Sequence, residues 1–381
     1  MRPPLSEEKP RVLLLFWGRR GALSRFTVDL ARAASAGPFV PLLSVSRQNE
    51  LIDELRGLGV PTLEVDTIGS VPATLARTLG LPRLARRVAA YAEAAGVSWV
   101  VTLMPHIWSP FLVGAVQARG IRYATVVHDA VHHPGEGSAL LDKYWEWEFS
   151  RADRVVALST HVARRVEARV PETRIATLFH PTMGYAPAAA ARTGRPSRLL
   201  FFGRILAYKG LDLLLDAYAN LRADGVSATL TIVGDGDLAP FAGRLPAPGV
   251  EVHNRWVPHA EVGSVLGAHD IVVLPYIEAS QSGVVAAAHA AGLPVVATPV
   301  GGLREQVSHG VDGLLAAEAS AAGVADAIRH LIEEPGLYET CARGAAATAK
   351  ARSMPAFVEA LASALAVEGG PAARSRAVGA S

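Results

Sequence analysis

The chain has very little cysteine and almost no excess charge. Cys341 is the single cysteine among 381 residues, so neither an intramolecular disulfide nor a cysteine-based zinc site can form. This scarcity is typical of a protein from a reducing cytoplasm. The formal net charge is only +2, whereas a dedicated nucleic-acid-binding protein usually carries clustered excess basic charge.

Long apolar runs are also missing. The first 21 residues contain one apolar run, at residues 12–17, which is shorter than a signal peptide needs. No run approaches the roughly 20 apolar residues of a membrane-spanning helix. We therefore expect a cytoplasmic protein that is soluble, or at most attached to the inner face of a membrane. Half of the residues are hydrophobic, which is enough apolar material for two domains of about 150–190 residues each.

Short apolar runs alternate with helical patterns along the whole chain. The first run, "RVLLLFW" at residues 11–17, is continuous rather than alternating, which is typical of a strand buried on both faces of a parallel sheet. Similar runs occupy residues 39–46, 99–105, 122–129, 154–159, 198–203 and 271–276. Strands that alternate with helices indicate an α/β protein, and we predict two tandem doubly wound, Rossmann-like domains that face a cleft.

A segment rich in alanine, proline and glycine interrupts the alternation before residue 198. We predict five parts: an N-terminal Rossmann-like domain at 1–186, a linker at 187–197, a C-terminal Rossmann-like domain at 198–352, a helix at 353–366, and a disordered tail at 367–381. Ligands of such sheets bind at the carboxyl ends of the strands. The loops that directly follow the strands are therefore the candidate site.

Two of these loops carry glycine or positive charge. "GRRGAL" at residues 18–23 lies between the first strand and its helix, where glycines let the backbone approach an anion. It does not match G-x-G-x-x-G, so a nicotinamide cofactor is not favoured, and the alternative is a plain tight turn. "FFGRILAYKG" places Arg204 after a buried strand and Lys209 before a helix. Two such cations could clamp a diphosphate, although solvated surface cations are the alternative.

A third loop, "SQSG" at residues 280–283, precedes a short helical pattern. We expect the backbone N–H groups of Ser282, Gly283 and Val284 to face an anion at the start of that helix. Ser280 or Ser282 is the expected N-cap. The alternative is an ordinary capped helix without a ligand.

The fourth loop, "VVHDAVHHPGEGS" at residues 126–138, is rich in titratable groups. After its strand come His128, Asp129, His132, His133 and Glu136. Their spacing matches no zinc pattern, so we favour a substrate contact by His128 over a metal site. "MPHIW" at residues 104–108 adds His106 to the same predicted wall, and the alternative for each residue is a plain polar loop.

Several of these stretches together resemble a known family. "GRILAYKG", the strand-end "HD", "VGDGDL" and "GLPVVATPVGGLREQVSHGVDGLL" are similar to the family 4 retaining glycosyltransferases of GT-B fold. The resemblance is strongest in residues 198–315. In the N-terminal half it rests on architecture, the glycine-rich first loop and "HD".

The resemblance implies transfer of a sugar from a nucleotide sugar to an acceptor, with retained anomeric configuration and without a metal ion or other cofactor. It implies that Arg204 and Lys209 hold the donor diphosphate beside Gly203. It further implies that Gly21 lies near the donor phosphates and sugar and that His128 contacts the donor sugar near the reacting carbon. His128, Arg204 and Lys209 are then the expected catalytic residues. The acceptor would bind the N-terminal domain, with Asp129, Glu136 and His106 as possible contacts.

The chain departs from this family where its members commonly carry two glutamates written E-x7-E. The corresponding positions are Ala279 and Ala287, and neither side chain can accept a hydrogen bond. Glu278 is one residue from the first position, so a small loop shift could let it take that place in donor binding. "QSGV" resembles a branch that uses Q-S-G there, which implies that Gln281 and Ser282 meet the donor sugar or phosphate. We therefore expect a rearranged site rather than an inactive one.

Other functions remain open at this stage. The chain could be a non-catalytic sugar-nucleotide-binding protein or an inactive subunit, and the two alanines are the support for that alternative. An epimerase or phosphorylase of the same fold is less favoured, since epimerases need carboxylates in the cleft.

A basic stretch at residues 75–92 predicts peripheral membrane contact, which would suit a lipid-linked acceptor in cell-surface glycan synthesis. A solvated helix is the alternative reading of that stretch. The sequence does not identify the sugar, the base, the acceptor or the oligomeric state.

Overall fold

A computed structural model of the chain describes residues 9–67, 80–129, 139–185 and 196–366, with the side chains of residues 139–141 left aside. Most of the predicted linker and all of the predicted tail lie outside this description. No helix within it is both long enough and apolar enough to cross a bilayer.

The N-terminal domain is built on a seven-stranded parallel sheet with the strand order β3-β2-β1-β4-β5-β6-β7. Its strands are β1 (Arg11–Phe16), β2 (Val40–Ser46), β3 (Thr62–Val65), β4 (Val97–Thr102), β5 (Arg122–Val127), β6 (Arg154–Ala157) and β7 (Ile175–Thr177). Its helices are α1 (Ala22–Ser35), α2 (Ile52–Gly57), α3 (Leu81–Ala94), α4 (Pro110–Gln117), α5 (Ala139–Arg151) and α6 (Thr160–Glu167).

The C-terminal domain repeats this plan with six parallel strands in the order β10-β9-β8-β11-β12-β13. Its strands are β8 (Arg198–Phe202), β9 (Thr229–Val233), β10 (Val250–His253), β11 (Ile271–Leu274), β12 (Val295–Ala297) and β13 (Gly313–Leu315). The helices that follow are α7 (Leu211–Ala223), α8 (His259–Gly267), α9 (Gly283–Ala290), α10 (Leu303–Gln306), α11 (Ala321–Glu333), α12 (Leu337–Ala351) and α13 (Met354–Ala366). The prediction of two doubly wound α/β domains is confirmed.

The continuous apolar runs became the central strands, and both faces of each sheet are covered. In β1 every residue from Val12 to Phe16 is buried, because helices pack on both sides of the sheet. Three short strands, β3, β7 and β13, were not predicted. They lie at the edges of the sheets, where one neighbour is missing and a strand of three or four residues needs no long apolar run.

The last helix, α13, returns to the N-terminal domain instead of staying with the domain that precedes it. It packs against α1, and its Phe357 is fully buried. The ring of Phe357 lies edge-to-face against Phe26 at 5.6 Å and against Phe179 at 5.9 Å between centroids. Among the elements that the structure describes, the chain therefore passes between the domains twice, once before β8 and once between α12 and α13.

Phe357→Ala is expected to lower the free energy of unfolding by about 3–5 kcal/mol, since it removes a buried ring and leaves a cavity between α13 and α1. Urea unfolding followed by tryptophan fluorescence measures this. The matched control is Glu359→Ala, an exposed position on the same helix, which should change the unfolding free energy by less than about 0.5 kcal/mol. Equal stabilities of the two variants would show that α13 does not complete the N-terminal core.

Candidate functional site

A cleft of about 450 Å³ lies between the two domains, at the carboxyl ends of both sheets. The loops that follow β1, β4, β5, β8, β9 and β11 contribute to its walls. This is where doubly wound sheets bind ligands, because their loops and helix N-termini converge there. The cleft is thus the candidate site.

The structure brings together ten of the residues that the sequence singled out. The residues of this set that line the cleft are Gly21, His128, Asp129, Gly203, Arg204, Lys209, Gln281, Ser282, Gly283 and Val284. Ala287, at the position of the second missing glutamate, lines it as well. The chemical roles assigned to these residues stay predictions.

Lys209 is held at the carboxyl end of β8 by an aromatic hydroxyl. Its Nζ donates a hydrogen bond to the Tyr276 hydroxyl at 2.9 Å and lies 4.7 Å from the centre of that ring. Gly203 has a φ of +115°, and a Cβ added there would lie 3.3 Å from Lys209 Nζ. A larger residue at 203 would therefore strain the backbone and crowd the ammonium group.

The start of α9 is capped from within the protein. Ser282 is the N-cap, and its Oγ accepts the N–H of Val284 at 3.2 Å. The N–H of Ser282 itself donates to Gln306 Oε1 at 2.6 Å, and Gln306 Nε2 donates back to the Ser282 carbonyl at 3.1 Å. The expectation that the N–H groups of Ser282 and Val284 face an anion was therefore wrong in this conformation. Within the described parts of the chain, the N–H of Gly283 is the one of the three without an acceptor.

His128 forms hydrogen bonds through both ring nitrogens. Its Nε2 lies 2.9 Å from the carbonyl oxygen of Leu103, and a carbonyl can only accept, so Nε2 carries the proton. Burial lowers the pKa of His128, so the ring is neutral and Nδ1 accepts from the Gln281 amide at 2.9 Å. Gln281 belongs to the C-terminal domain, and this hydrogen bond crosses the cleft. Gln281 Oε1 is buried without a partner among the described residues.

Glu50 was missed by the sequence analysis. Its Oε1 accepts the N–H of Gly21 at 2.6 Å and lies 3.0 Å from Nε2 of His259, which belongs to the C-terminal domain. The His259 ring in turn stacks on Tyr185 at 5.7 Å between centroids. A carboxylate thus occupies the glycine-rich loop at the N-terminus of α1 and bridges the domains. Glu50 and His259 are 209 residues apart, so no local pattern pointed to the pair.

His180 also lines the cleft and was missed for a different reason. It lies in the loop after β7, the short edge strand that the apolar pattern did not reveal. Because the sequence pattern shows no strand before it, this loop did not count among the strand-end loops, although "FHP" at residues 179–181 places a histidine there.

Glu278 and His106 lie away from the cleft lining. The carboxylate of Glu278 is 3.6 Å from the guanidinium of Arg165 in the N-terminal domain. The ring of His106 packs edge-on against Trp17 and Trp108, with centroids 5.8 Å and 5.3 Å away, and burial lowers its pKa to about 4. His106 is partly buried against these two indole rings and does not reach the cleft lining.

Glu136, together with His132 and His133, lies outside the described residues. In the parts that the structure describes, no three His, Cys, Asp or Glu side chains cluster as metal ligands would.

Comparison with protein families matches both domains. Residues 23–181 match the family described as Glycosyltransferase Family 4, and residues 196–334 match the family described as Glycosyl transferases group 1. These matches place the chain in the GT4 group of GT-B glycosyltransferases.

Curated relatives of this GT-B chain align with parts of it. D-inositol 3-phosphate glycosyltransferase from Arthrobacter sp. (strain FB24) is 34% identical over 181 residues, which cover 45% of this chain and 42% of that protein. 2-Deoxystreptamine glucosyltransferase from Streptomyces kanamyceticus is 26% identical over 268 residues, or 62% of this chain and 68% of that protein. The chain therefore spans less than half of the Arthrobacter relative's length.

Solved structures share the GT-B architecture over nearly the whole chain. A glycosyltransferase from Rickettsia africae ESF-5 superposes with a TM-score of 0.73 at 17% identity, covering 94% of this chain and all of that one. Anabaena Alr3699/HepE in complex with UDP-glucose gives a TM-score of 0.70 at 17% identity, covering 93% of this chain and 99% of that one. At these identities the likeness shows the fold alone.

The state of His128 in this GT-B chain can be tested directly. Long-range ¹H–¹⁵N spectra are expected to show the Nε2–H tautomer, with the ring still neutral at a pH below the ordinary histidine pKa of about 6.5. Gln281→Leu should keep this tautomer, because the bond to Leu103 remains, but should shift the Nδ1 resonance, which loses its donor. His128→Gln assigns the signals by their absence. A proton on Nδ1 in the unaltered protein would contradict the hydrogen bonds described here.

Proposed function

We propose that the chain is a retaining glycosyltransferase that moves a sugar from a nucleotide-sugar donor to an acceptor without a metal ion. One observation carries the proposal. Arg204 and Lys209 line the same cleft as the N-termini of α1 and α9, at the carboxyl ends of the strands.

This arrangement suits a leaving group that gains negative charge. When the bond between the sugar and the diphosphate breaks, charge develops on the phosphate oxygens, and fixed positive groups nearby stabilise the transition state. Lys209 supplies a point charge that its bond to Tyr276 orients. Arg204, whose side chain is exposed to the cleft, supplies a fork of donors. We propose that these cations take the part that a metal ion plays in other transferases, and that no further cofactor is needed.

The proposed donor is a nucleoside diphosphate sugar. Anabaena Alr3699/HepE, which shares the fold, has been solved with UDP and with UDP-glucose. One curated relative is named as a glucosyltransferase. UDP-glucose is therefore the first donor to test on this chain.

Between the two candidates for the missing first glutamate, the geometry favours Gln281. Gln281 lines the cleft with a buried, unpartnered Oε1, whereas Glu278 pairs with Arg165. We propose that this oxygen accepts a hydrogen bond from a donor sugar hydroxyl, as expected for the Q-S-G branch. Because the side chain of Ala287 cannot accept a hydrogen bond, we propose that other groups of the cleft bind the ribose hydroxyls of the donor.

The acceptor is proposed to be a glycan or a lipid-linked sugar bound by the N-terminal domain in the cytoplasm. Contact with a membrane would be electrostatic, since Leu81, Ala85 and Val88 of α3 are buried in the domain core. The exposed face of α3 carries Arg83, Arg86 and Arg87. Arg77 of the same basic stretch lies outside the described residues.

Lys209→Ala is expected to abolish stabilisation by nucleotides. A ligand at about 100 times its dissociation constant adds about 2.7 kcal/mol to the unfolding free energy, so a panel of nucleoside diphosphates and UDP-glucose should raise the melting temperature of the wild type with at least one compound. The same compound should leave Lys209→Ala unchanged. Lys350→Ala, an exposed lysine on α12, is the matched control and should respond like the wild type.

No response of the wild type to any nucleotide would refute the donor site. A raised melting temperature with UDP-glucose, but no sugar transfer, would favour a non-catalytic sugar-nucleotide-binding protein. This is the alternative that Ala279 and Ala287 support.

Retention is tested by the configuration of the first product. With UDP-glucose and water as the acceptor, ¹H NMR at early times should show α-glucose appearing before mutarotation mixes the anomers. An initial β-anomer would establish inversion. Lys209→Ala serves as the blank for uncatalysed hydrolysis, since lost charge stabilisation should slow the reaction strongly.

A further inference from the structure

His180 is a buried histidine with a defined tautomer. Its side chain lines the cleft although the residue is only 7% exposed. Nδ1 lies 2.9 Å from the carbonyl oxygen of Pro181, which can only accept, so Nδ1 carries the proton. Nε2 therefore presents a lone pair, and it has no hydrogen-bond partner among the described residues.

Nε2 of His180 lies close to the start of α9. A Cβ added at Gly283 would lie 3.7 Å from His180 Nε2. On the C-terminal domain's side, a Cβ added at Gly203 would lie 3.3 Å from Lys209 Nζ and 3.8 Å from a methyl of Val284. The first turn of α9 thus lies between a lysine of one domain and a histidine of the other.

In the empty cleft His180 is neutral. Burial, the nearby His128 and the charge of Arg352 together lower its pKa to about 4, against a raising effect of the Pro181 carbonyl. From α1 it meets the ring of Phe26 and from α9 it meets Gly283, and neither side chain carries a charge. Among the described residues, no carboxylate contributes to the pKa shift of His180, and an anion entering the cleft would be a new influence.

We propose that His180 takes up a proton from solvent when the donor diphosphate binds, and that its Nε2–H then donates a hydrogen bond to a phosphate oxygen at the start of α9. The inference rests on the proposed function, because it needs a diphosphate at that helix. A neutral Nε2 would face the phosphate with its lone pair, whereas a protonated one forms a charge-assisted hydrogen bond. The N-terminal domain then holds the diphosphate opposite Arg204 and Lys209.

The sign of the pH dependence follows from linkage. The anion raises the pKa of His180 in the complex above its value of about 4 in the empty protein. Between these two pKa values binding takes up close to one proton, and the dissociation constant rises about tenfold per pH unit. Above the pKa of the complex the uptake vanishes. A nucleoside diphosphate sugar is the right probe, because it lacks the terminal phosphate whose own pKa is near 6.

Isothermal titration of UDP-glucose at about pH 6, in two buffers of different ionisation enthalpy, measures the uptake. The wild type should take up a proton. His180→Gln keeps a polar side chain but cannot change charge, so its uptake should vanish and its dissociation constant should rise roughly tenfold or more. His269→Gln, a buried histidine outside the cleft, is the matched control and should behave as the wild type does.

The outcomes separate this inference from the proposed function. Absence of binding by the wild type would refute the donor site itself. Binding with equal heats in both buffers, or uptake that survives in His180→Gln and is lost in His128→Gln, would overturn the role of His180. To separate a lost role of His180 from misfolding of the His180→Gln variant, the pKa of His180 is also measured by NMR in the unaltered protein. The NMR titration of His180 should move to higher pH when UDP-glucose is added, and an unmoved titration would refute the proposal.

Discussion

The shape of the cleft depends on one pair of neighbouring side chains, Glu305 and Gln306, at the end of the "GGLREQ" segment. The side-chain amide of Gln306 forms hydrogen bonds with both the N–H and the carbonyl of Ser282, which fixes the start of α9. Glu305 accepts the N–H groups of Thr160 and His161 at 2.7 Å each, which caps α6 of the opposite domain. The same four-residue helix therefore fixes the start of α9 and joins it to the N-terminal domain.

The two glycines of this segment are needed for the same reason. A Cβ at Gly301 would lie 1.7 Å from the carbonyl oxygen of Ala279, and a Cβ at Gly302 would lie 1.9 Å from that of Ser280. Only a residue without a side chain lets α10 approach the loop before α9 so closely. The glycine pair of "PVGG", which belongs to the stretch that resembles the family, is thus required for the close packing of α10 against this loop.

Charge in the cleft is divided unequally between the domains. The C-terminal domain contributes fixed cations, whereas the N-terminal wall contributes His128 and His180, both with a lowered pKa because they are buried. Glu50 places a carboxylate at the loop of Gly21, where the resemblance put donor phosphates. A donor phosphate at this loop would therefore have to compete with the Glu50 carboxylate for the Gly21 N–H. In this conformation the glycine-rich loop is a poorer anion site than its sequence suggests.

The sequence was informative where one residue's environment is decided by its neighbours along the chain. The central strands, the strand-end cations and a serine cap at position 280 or 282 follow from local patterns. The hydrogen bond from the Ser282 N–H to Gln306 cannot be predicted from local patterns, because Gln306 is 24 positions away along the chain. The position of His106 was misjudged for a related reason: being close to a strand end does not determine whether a ring turns toward solvent or toward Trp17 and Trp108.

The return of α13 to the first domain has a consequence for how the chain acquires its structure during synthesis. The N-terminal sheet leaves the ribosome first, but the face of α1 that Phe357 covers stays open until the last helix has been made. Throughout translation of residues 198–352 this half-covered apolar face is exposed, at a stage when nascent chains are prone to aggregate. Emergence of α13 from the ribosome, rather than completion of either sheet, is then the event that closes the N-terminal core.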